Sequence, residues 1–519
     1  MAELNNQTSR KNIKFLWRLF EVFFLLLVVY LPFQVAFNPS QQIDLASLRV
    51  LIIGLFLFWL VIFLADEWPV FPFGFQGFGL AAVLIISVLS LCFAQNAAWG
   101  WRKTLFFITI FPLYFVASGF LAGAPKSGKK TSVSKKLYRS DPELESKQYF
   151  YQSKVMADGR LASECLFWQN IWQGDRHIKE FFCCLRIIKA LIFSALIISF
   201  LGLLQFLAQF FFGILTMTEF YVKKIGSIFW GQSFSSVVIE YPSWLVNVGG
   251  RTIFRLMALF PDPHMTAFFL GLILPLVFSL YLLAKKQSFW LLIINSLLFV
   301  ALVLTFSRGG YLGILFGLAV VLVLSWRRLT QKKKALVLTV VVLTLFVAIF
   351  FAQPILYRFF SSFSFLDNSS LDRLAIWQNS FKVFLSHPLF GVGLGNYPLE
   401  ADPLASYRNP TTSHNLYLDI LAETGIFGLL AWLFLIFGSV WRLAASIRQK
   451  DSKKNFDFSI ALKIGLIGSL VYFSVHSFFE TPIFNPTILA LLMIILAMAN
   501  FSMRREFAFE TEKISLGSF

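Results

Sequence analysis

Apolar runs of about 18 to 25 residues recur along this chain, each long enough to cross a hydrocarbon core about 30 Å thick as a helix. In lipid every backbone N–H and C=O must be satisfied within the spanning structure, which leaves only helices or a closed barrel. The runs are too long for the short alternating strands of a barrel. The fold class is therefore all-α, a polytopic integral membrane protein of about 12 transmembrane helices with a large extracytoplasmic loop that itself contains helices. Composition agrees: 57% hydrophobic and 14% charged residues over 519 positions, with a mean hydropathy of +0.72, lie outside the range of soluble globular proteins.

Spans are read at 19–37, 48–64, 77–94, 104–122, 188–214, 264–284, 288–306, 309–326, 335–352, 415–441, 459–479 and 483–502. An even number of spans puts both termini on one side. Most of the 45 Lys and Arg residues fall beside one alternating set of segments, which places those segments and both termini in the cytoplasm. The formal charge of +18 is thus read as topology, and nucleic acid is not expected as a partner. The chain divides into helices 1–4 (1–122), a cytoplasmic basic insertion (123–187), helices 5–9 (188–352), the large outer loop (353–413), helices 10–12 (414–502) and a cytoplasmic tail (503–519). The first run follows Arg10, Lys11, Lys14 and Arg18 and lacks a small-residue cleavage site, so it is expected to remain a span. The insertion, Lys- and Ser-rich at its start, suits a polar segment resting on anionic lipid and is assigned no catalytic role. Cys92, Cys165, Cys183 and Cys184 lack CxxC spacing, and three of them fall in that insertion, so neither a disulfide nor a metal site is indicated.

Two outward loops are long. The first, 215–263, carries Trp230, Tyr241 and Trp244, which suit an interface or stacking on sugar rings, and it ends near Arg255. The second contains an amphipathic stretch from Leu371 to Leu385, with Leu374, Trp377, Gln378, Phe381 and Leu385 at helical spacing. Gly391-Val392-Gly393-Leu394-Gly395 follows. With no strand before it this is not a dinucleotide motif; it reads as a glycine-built turn, or as bare backbone approaching a phosphate.

The stretch from Ser413 to Gly428 closes that loop and opens a span, with Thr412 or Ser413 as a natural N-cap. His414 is then expected in the first helical turn, where the helix dipole would favour the neutral ring and suit it to act as a general base; the plainer reading is a polar cap at the interface. Arg308, Arg373 and Arg255 all fall on the outer side, where positive charge opposes the orientation rule. Singly, each reads equally well as an Arg reaching for headgroups or paired with a neighbour such as Asp372. Taken with His414, they form a set of cations beside a candidate base. Arg forks match phosphate oxygens, and a diphosphate leaving group needs its developing charge neutralised while an acceptor hydroxyl loses its proton. Sugar transfer from a lipid diphosphate requires both.

The ordered set Arg255…Pro263-His264…Leu274-Pro275, Ser307-Arg308-Gly309, Arg373…Trp377…His387-Pro388…Gly391-x-Gly393-x-Gly395-Asn396 and His414-Asn415-x-x-Leu418…Glu423-x-Gly425-x-x-Gly428 resembles the bacterial O-antigen ligase/polymerase superfamily over about residues 250–440. The resemblance implies a metal-independent glycosyltransferase without cofactors, working at the outer face of the bacterial cytoplasmic membrane. Its donor would be an undecaprenyl-diphosphate-linked glycan, its acceptor a glycan, lipid-linked or protein hydroxyl. By the same resemblance Arg308 and Arg373 would hold the diphosphate, with Arg255 as a softer carry-over, and His414 would activate the acceptor. Position 264 more often reads Asn in that pattern, and His264 departs from it; the 123–187 insertion is also unusual.

Ligase, polymerase and protein oligosaccharyltransferase share these motifs. A transporter or lipid flippase is the competing class, but such proteins carry ionisable residues or broken helices at midplane, whereas here the unusual cations gather at one surface. In a third reading, a scaffold for polysaccharide assembly, the outer Arg and His residues would be dispensable.

Overall fold

The computed structural model describes residues 2–40, 43–65, 73–123, 176–231, 235, 243–248, 250–284, 288–339, 368–402, 405, 411–448 and 458–504. The chain is an all-α polytopic membrane protein. Its helices are α1 (Ala2–Tyr30), α2 (Ser47–Ala65), α3 (Gly74–Ser90), α4 (Ala97–Ile110), α5 (Pro112–Ala122), α6 (Arg176–Phe212), α7 (Ile214–Phe220), α8 (Pro263–Leu283), α9 (Phe289–Val303), α10 (Arg308–Ser325), α11 (Asn368–Ser386), α12 (Tyr397–Ala401), α13 (Leu416–Arg448), α14 (Phe458–His476) and α15 (Pro486–Arg504). Among the described residues ten helical segments are long and apolar enough to cross a membrane. Ten of the twelve expected spans correspond to these. The expected 288–306 span is the shorter α9, of 15 residues, and most of 335–352 lies outside the described residues.

The bundle centres on α8, α14 and α15, whose side chains are almost all buried, while α2 and α3 present Leu57, Val61, Leu64, Phe78 and Ile85 outward to lipid. Lys103 of α4 bonds Glu423 of α13 at 2.8 Å, both largely buried, and its ammonium also lies 3.9 Å from the centre of the Phe484 ring.

Two expectations need correction. The fifth span starts at Phe181, not 188, so Cys183 and Cys184 lie buried in α6 instead of in a polar loop. Trp230 and Trp244 are not sugar platforms. Both are buried, in a cluster with Phe254 and Met257, and their indole N–H groups donate to the carbonyls of Leu259 and Pro261, so the segment between α6 and α8 has its own small core; Tyr241 falls outside the described residues. Two antiparallel hairpins accompany the helices: β1 (Ala36–Ser40) with β2 (Ile43–Ala46), and β3 (Leu245–Val248) with β4 (Arg251–Phe254). Gln205 and Gln209, one turn apart on α6, anchor the end of the second. Gln205 accepts from the backbone of Met257 and Ala258 and donates to Arg255 O, and Gln209 does the same across Phe254.

The glycine-rich segment has a structural task. Helix α13 breaks at Gly425 (φ 65°, ψ −165°), and the backbone groups freed there are taken up by residues 388–392: Val392 N–H donates to Ala422 O and Ile426 N–H to Pro388 O, each at 2.9 Å. A Cβ at Gly425 would stand 2.2 Å from Leu389 O, and one at Gly391 (φ 67°) 2.4 Å from Ala422 O, so both positions require glycine for space and for backbone angle. Of the two readings of this motif the turn stands: it clamps the start of α13.

Candidate active site

His414 lies just ahead of α13, in a left-handed backbone conformation (φ 50°). Neither Thr412 nor Ser413 caps the helix, as the sequence suggested. Asn415 does, its side-chain oxygen accepting from the N–H groups of Tyr417 and Leu418. His414 is therefore outside the first turn and turned away from the helical path.

Two connections fix its surroundings. Leu416 N–H donates to Ser477 O, and Tyr417 O–H to Ser474 O, which bind the start of α13 to the end of α14 and to the loop after it. Asp419 ties the same two stretches together, one carboxylate oxygen accepting from Ser413 N–H and the other from the Thr481 hydroxyl. The residues held between these ties meet: His414 Nδ1 is 3.1 Å from Glu480 Oε1, with the imidazole side chain 43% exposed and the carboxylate 14%. Glu480 is the residue that sequence reasoning missed. The carboxylate's charge and its hydrogen bond raise the His414 pKa against the opposing effects of burial and of Arg373. The charge nearest the ring is thus the Glu480 carboxylate, not a helix terminus, and it acts in the opposite direction to the expected dipole. Burial pushes the Glu480 carboxyl up, but the positive charges of His414 and Arg373 and the hydrogen bond to His414 outweigh it, so Glu480 is held well below the usual carboxylate range.

Arg373 and Trp377 sit one turn apart on α11, hence on one face. Trp377 Nε1–H donates to Ser413 O at 3.0 Å, which docks that face beside His414, and the Arg373 charge acts on both His414 and Glu480. Arg255 is buried, its Nε donating to Thr305 O and its Nη1 to Ser243 O, so that it braces the segment between α6 and α8 against the end of α9. Its charge still reaches Asp262 beside it. Burial and Glu480 push Asp262 up to about 6, against the lowering effect of two backbone N–H donors, at His264 and Met265, and of Arg255. Arg308 is the first residue of α10. It follows Ser307, which caps that helix and bonds both His264 and His476. Among the described residues no three His, Cys, Asp or Glu side chains group so as to hold a metal ion.

Fold and site together define a multi-span membrane protein that carries an imidazole–carboxylate pair, within reach of the Arg373 charge, where its helices meet the long loops. Residues 293–433, from within α9 to the first half of α13, match the O-antigen ligase family, which bears out the resemblance drawn from the motifs. The chain is 31% identical over 192 residues to the teichuronic acid biosynthesis protein TuaE of Bacillus subtilis, covering 35% of this chain and 38% of that protein. It is 27% identical over 228 residues to the ComP-specific O-oligosaccharyltransferase of Acinetobacter baylyi, covering 41% of this chain and 39% of the relative. The matches thus span about two fifths of each curated relative. Arg308, Arg373 and His414 lie inside the family match; Arg255, His264, His476 and Glu480 lie outside it.

Proposed function

We propose that this chain is a membrane glycosyltransferase that moves a glycan from an undecaprenyl-diphosphate donor to an acceptor hydroxyl at the outer face of the bacterial cytoplasmic membrane, as a surface-polysaccharide ligase or polymerase. The observation that carries the reading is the His414–Glu480 pair beside Arg373. A carboxylate at Nδ1 fixes the N–H there and leaves Nε2 to take a proton, and it stabilises the imidazolium that results. In the proposed step the acceptor O–H gives its proton to His414 Nε2, its oxygen bonds to the anomeric carbon, and the bond from that carbon to the diphosphate oxygen breaks. Arg308 and Arg373 neutralise the charge that develops on the leaving group, and Arg255 adds positive potential from behind. No metal is invoked. The names of the two relatives, one in teichuronic acid biosynthesis and one transferring oligosaccharide, fit a glycan and leave the acceptor class open.

The break at Gly425 does not favour transport. Its freed backbone groups are bonded to residues 388–392 instead of lining a midplane substrate site. The test is to incubate purified protein with an undecaprenyl-diphosphate oligosaccharide and glycan, lipid-linked and protein acceptors without added metal, and to weigh the products. A product heavier than its acceptor by the oligosaccharide is expected. Translocation of the lipid in vesicles with no transfer to any acceptor would overturn the reading in favour of a flippase.

A further inference from the structure

A chain of hydrogen bonds runs inward from His264, at the start of α8. His264 Nδ1 is 2.9 Å from Ser307 Oγ, Ser307 Oγ is 3.1 Å from His476 Nε2, and His476 Nδ1 is 3.0 Å from the Tyr472 hydroxyl. The direction of every proton can be worked out from the far end. Tyr472 O–H is 2.6 Å from Ala267 O, a carbonyl that can only accept, so the tyrosine's single proton goes there. Its oxygen must then accept from His476 Nδ1–H. His476 is fully buried, stacked 3.7 Å from the Phe268 ring, and its two ring nitrogens meet only the Ser307 and Tyr472 hydroxyls, with no carboxylate in contact, so the cost of burying a charge keeps the ring neutral. Its Nε2 is therefore an acceptor, and Ser307 donates to it. Ser307 Oγ, already accepting from Gly310 N–H, takes its second hydrogen bond from His264 Nδ1–H. One tautomer of His264 is left, protonated at Nδ1 with a lone pair on Nε2, and among the described residues that nitrogen has no hydrogen-bond partner.

We propose that His264 is a specificity-determining residue whose Nε2 accepts a hydrogen bond from a sugar hydroxyl of the lipid-linked glycan. An unprotonated nitrogen repels phosphate oxygen and asks for a donor, and a hydroxyl supplies one. Ser307 holds His264 and precedes Arg308, and the charge of Arg373 acts on His264, so a group at Nε2 would meet the first sugar of a donor whose diphosphate those arginines hold. The glycan assignment rests on the proposed transfer reaction; the tautomer does not.

Solid-state NMR of the 15N-histidine-labelled protein in bilayers reads the tautomer, with His264→Gln assigning its signals among the five histidines. In the resting protein a protonated Nδ1 and an unprotonated Nε2 are expected. Adding undecaprenyl-diphosphate oligosaccharide should move the Nε2 signal, and undecaprenyl diphosphate without sugar should leave it in place. A protonated Nε2 at rest, no response to the glycan lipid, or an equal response to the sugar-free lipid would overturn the proposal. In the transfer assay His264→Leu should raise the donor KM about 10-fold, the worth of one hydrogen bond, with kcat little changed. His264→Gln, which keeps an acceptor, should restore most of it; Gln no better than Leu would contradict a hydroxyl contact. The resting tautomer and the lipid response need no turnover, so they stand or fall apart from the transfer reaction.

Discussion

Replacing Glu480 by Gln keeps the shape of the side chain and removes only its charge. The contact it alters is 3.1 Å long, with His414 43% exposed and Glu480 14% exposed. A hydrogen bond to a charged partner contributes about 1.5–3 kcal/mol. Solvent at the imidazole screens part of that, leaving about 1–2 kcal/mol. As the imidazolium forms in the transition state, this loss should appear as a kcat lower by ~5–30-fold. The pH profile gives a second readout. The Glu480 charge raises the His414 pKa, so the variant's acid limb must move to lower pH even as its plateau falls. Stability should follow the same pair. The contribution of a His raised in the fold is fully present below its unfolded pKa of about 6.5 and fades as pH rises through the folded value. That of a depressed Glu is present above about 4.3 and fades as pH falls through its folded value. The variant should therefore lose more thermal stability near pH 5.5 than near pH 9. Initial rates in lipid nanodiscs at saturating donor, taken from pH 5 to 9, are the assay. An unchanged kcat together with an unmoved acid limb would refute the assignment of Glu480 as the partner of the base.

Other perturbations should follow the same logic. Lys103→Met leaves the Glu423 carboxylate buried without its partner and should destabilise the protein by about 3–5 kcal/mol, whereas pairing it with Glu423→Leu should recover most of the loss in a thermal-shift measurement. Asp262 is pushed up to about 6, so above that pH the fold carries a charge it disfavours. Asp262→Asn keeps an oxygen to cap α8 and should raise thermal stability at pH 7.5, a gain that shrinks to nothing by about pH 4. Gly425→Ala sets a Cβ against Leu389 O as well as straining the backbone, and should cost more than the about 1–2 kcal/mol of the backbone angle alone, seen as reduced folded yield.

The spans were legible because hydrophobic length alone decides membrane crossing, and the outer ends of α8 and α10 fall where composition changes. The amphipathic helix carrying Arg373 and Trp377 was also legible, from Leu374, Trp377, Gln378, Phe381 and Leu385 at helical spacing. Glu480 was not, since it sits in a loop of a few residues between two spans and nothing local links it to His414, 66 positions away in sequence. The only signal was an acidic residue at the outer end of a span, beside Thr481-Pro482. His476 read as part of an apolar run, and its bonds to Ser307 and Tyr472 arise from packing among α8, α10 and α14, which no periodicity encodes. The tryptophans of the first outer loop misled because aromatic residues suit a buried cluster as well as a sugar-binding surface. The direction in which the His414 pKa moves was not legible for a different reason: a helix terminus acts weakly compared with a carboxylate in direct contact, and that carboxylate is distant in sequence.

The claim on which the account turns is that the His414 imidazole takes the acceptor's proton. His414→Asn is the variant of choice, because Asn tolerates the left-handed backbone at this position while offering no base. With wild-type and variant protein at equal folded levels, release of undecaprenyl diphosphate from the oligosaccharide donor should be slower in the variant by roughly 10²–10⁴-fold. Release at the wild-type rate would contradict the account.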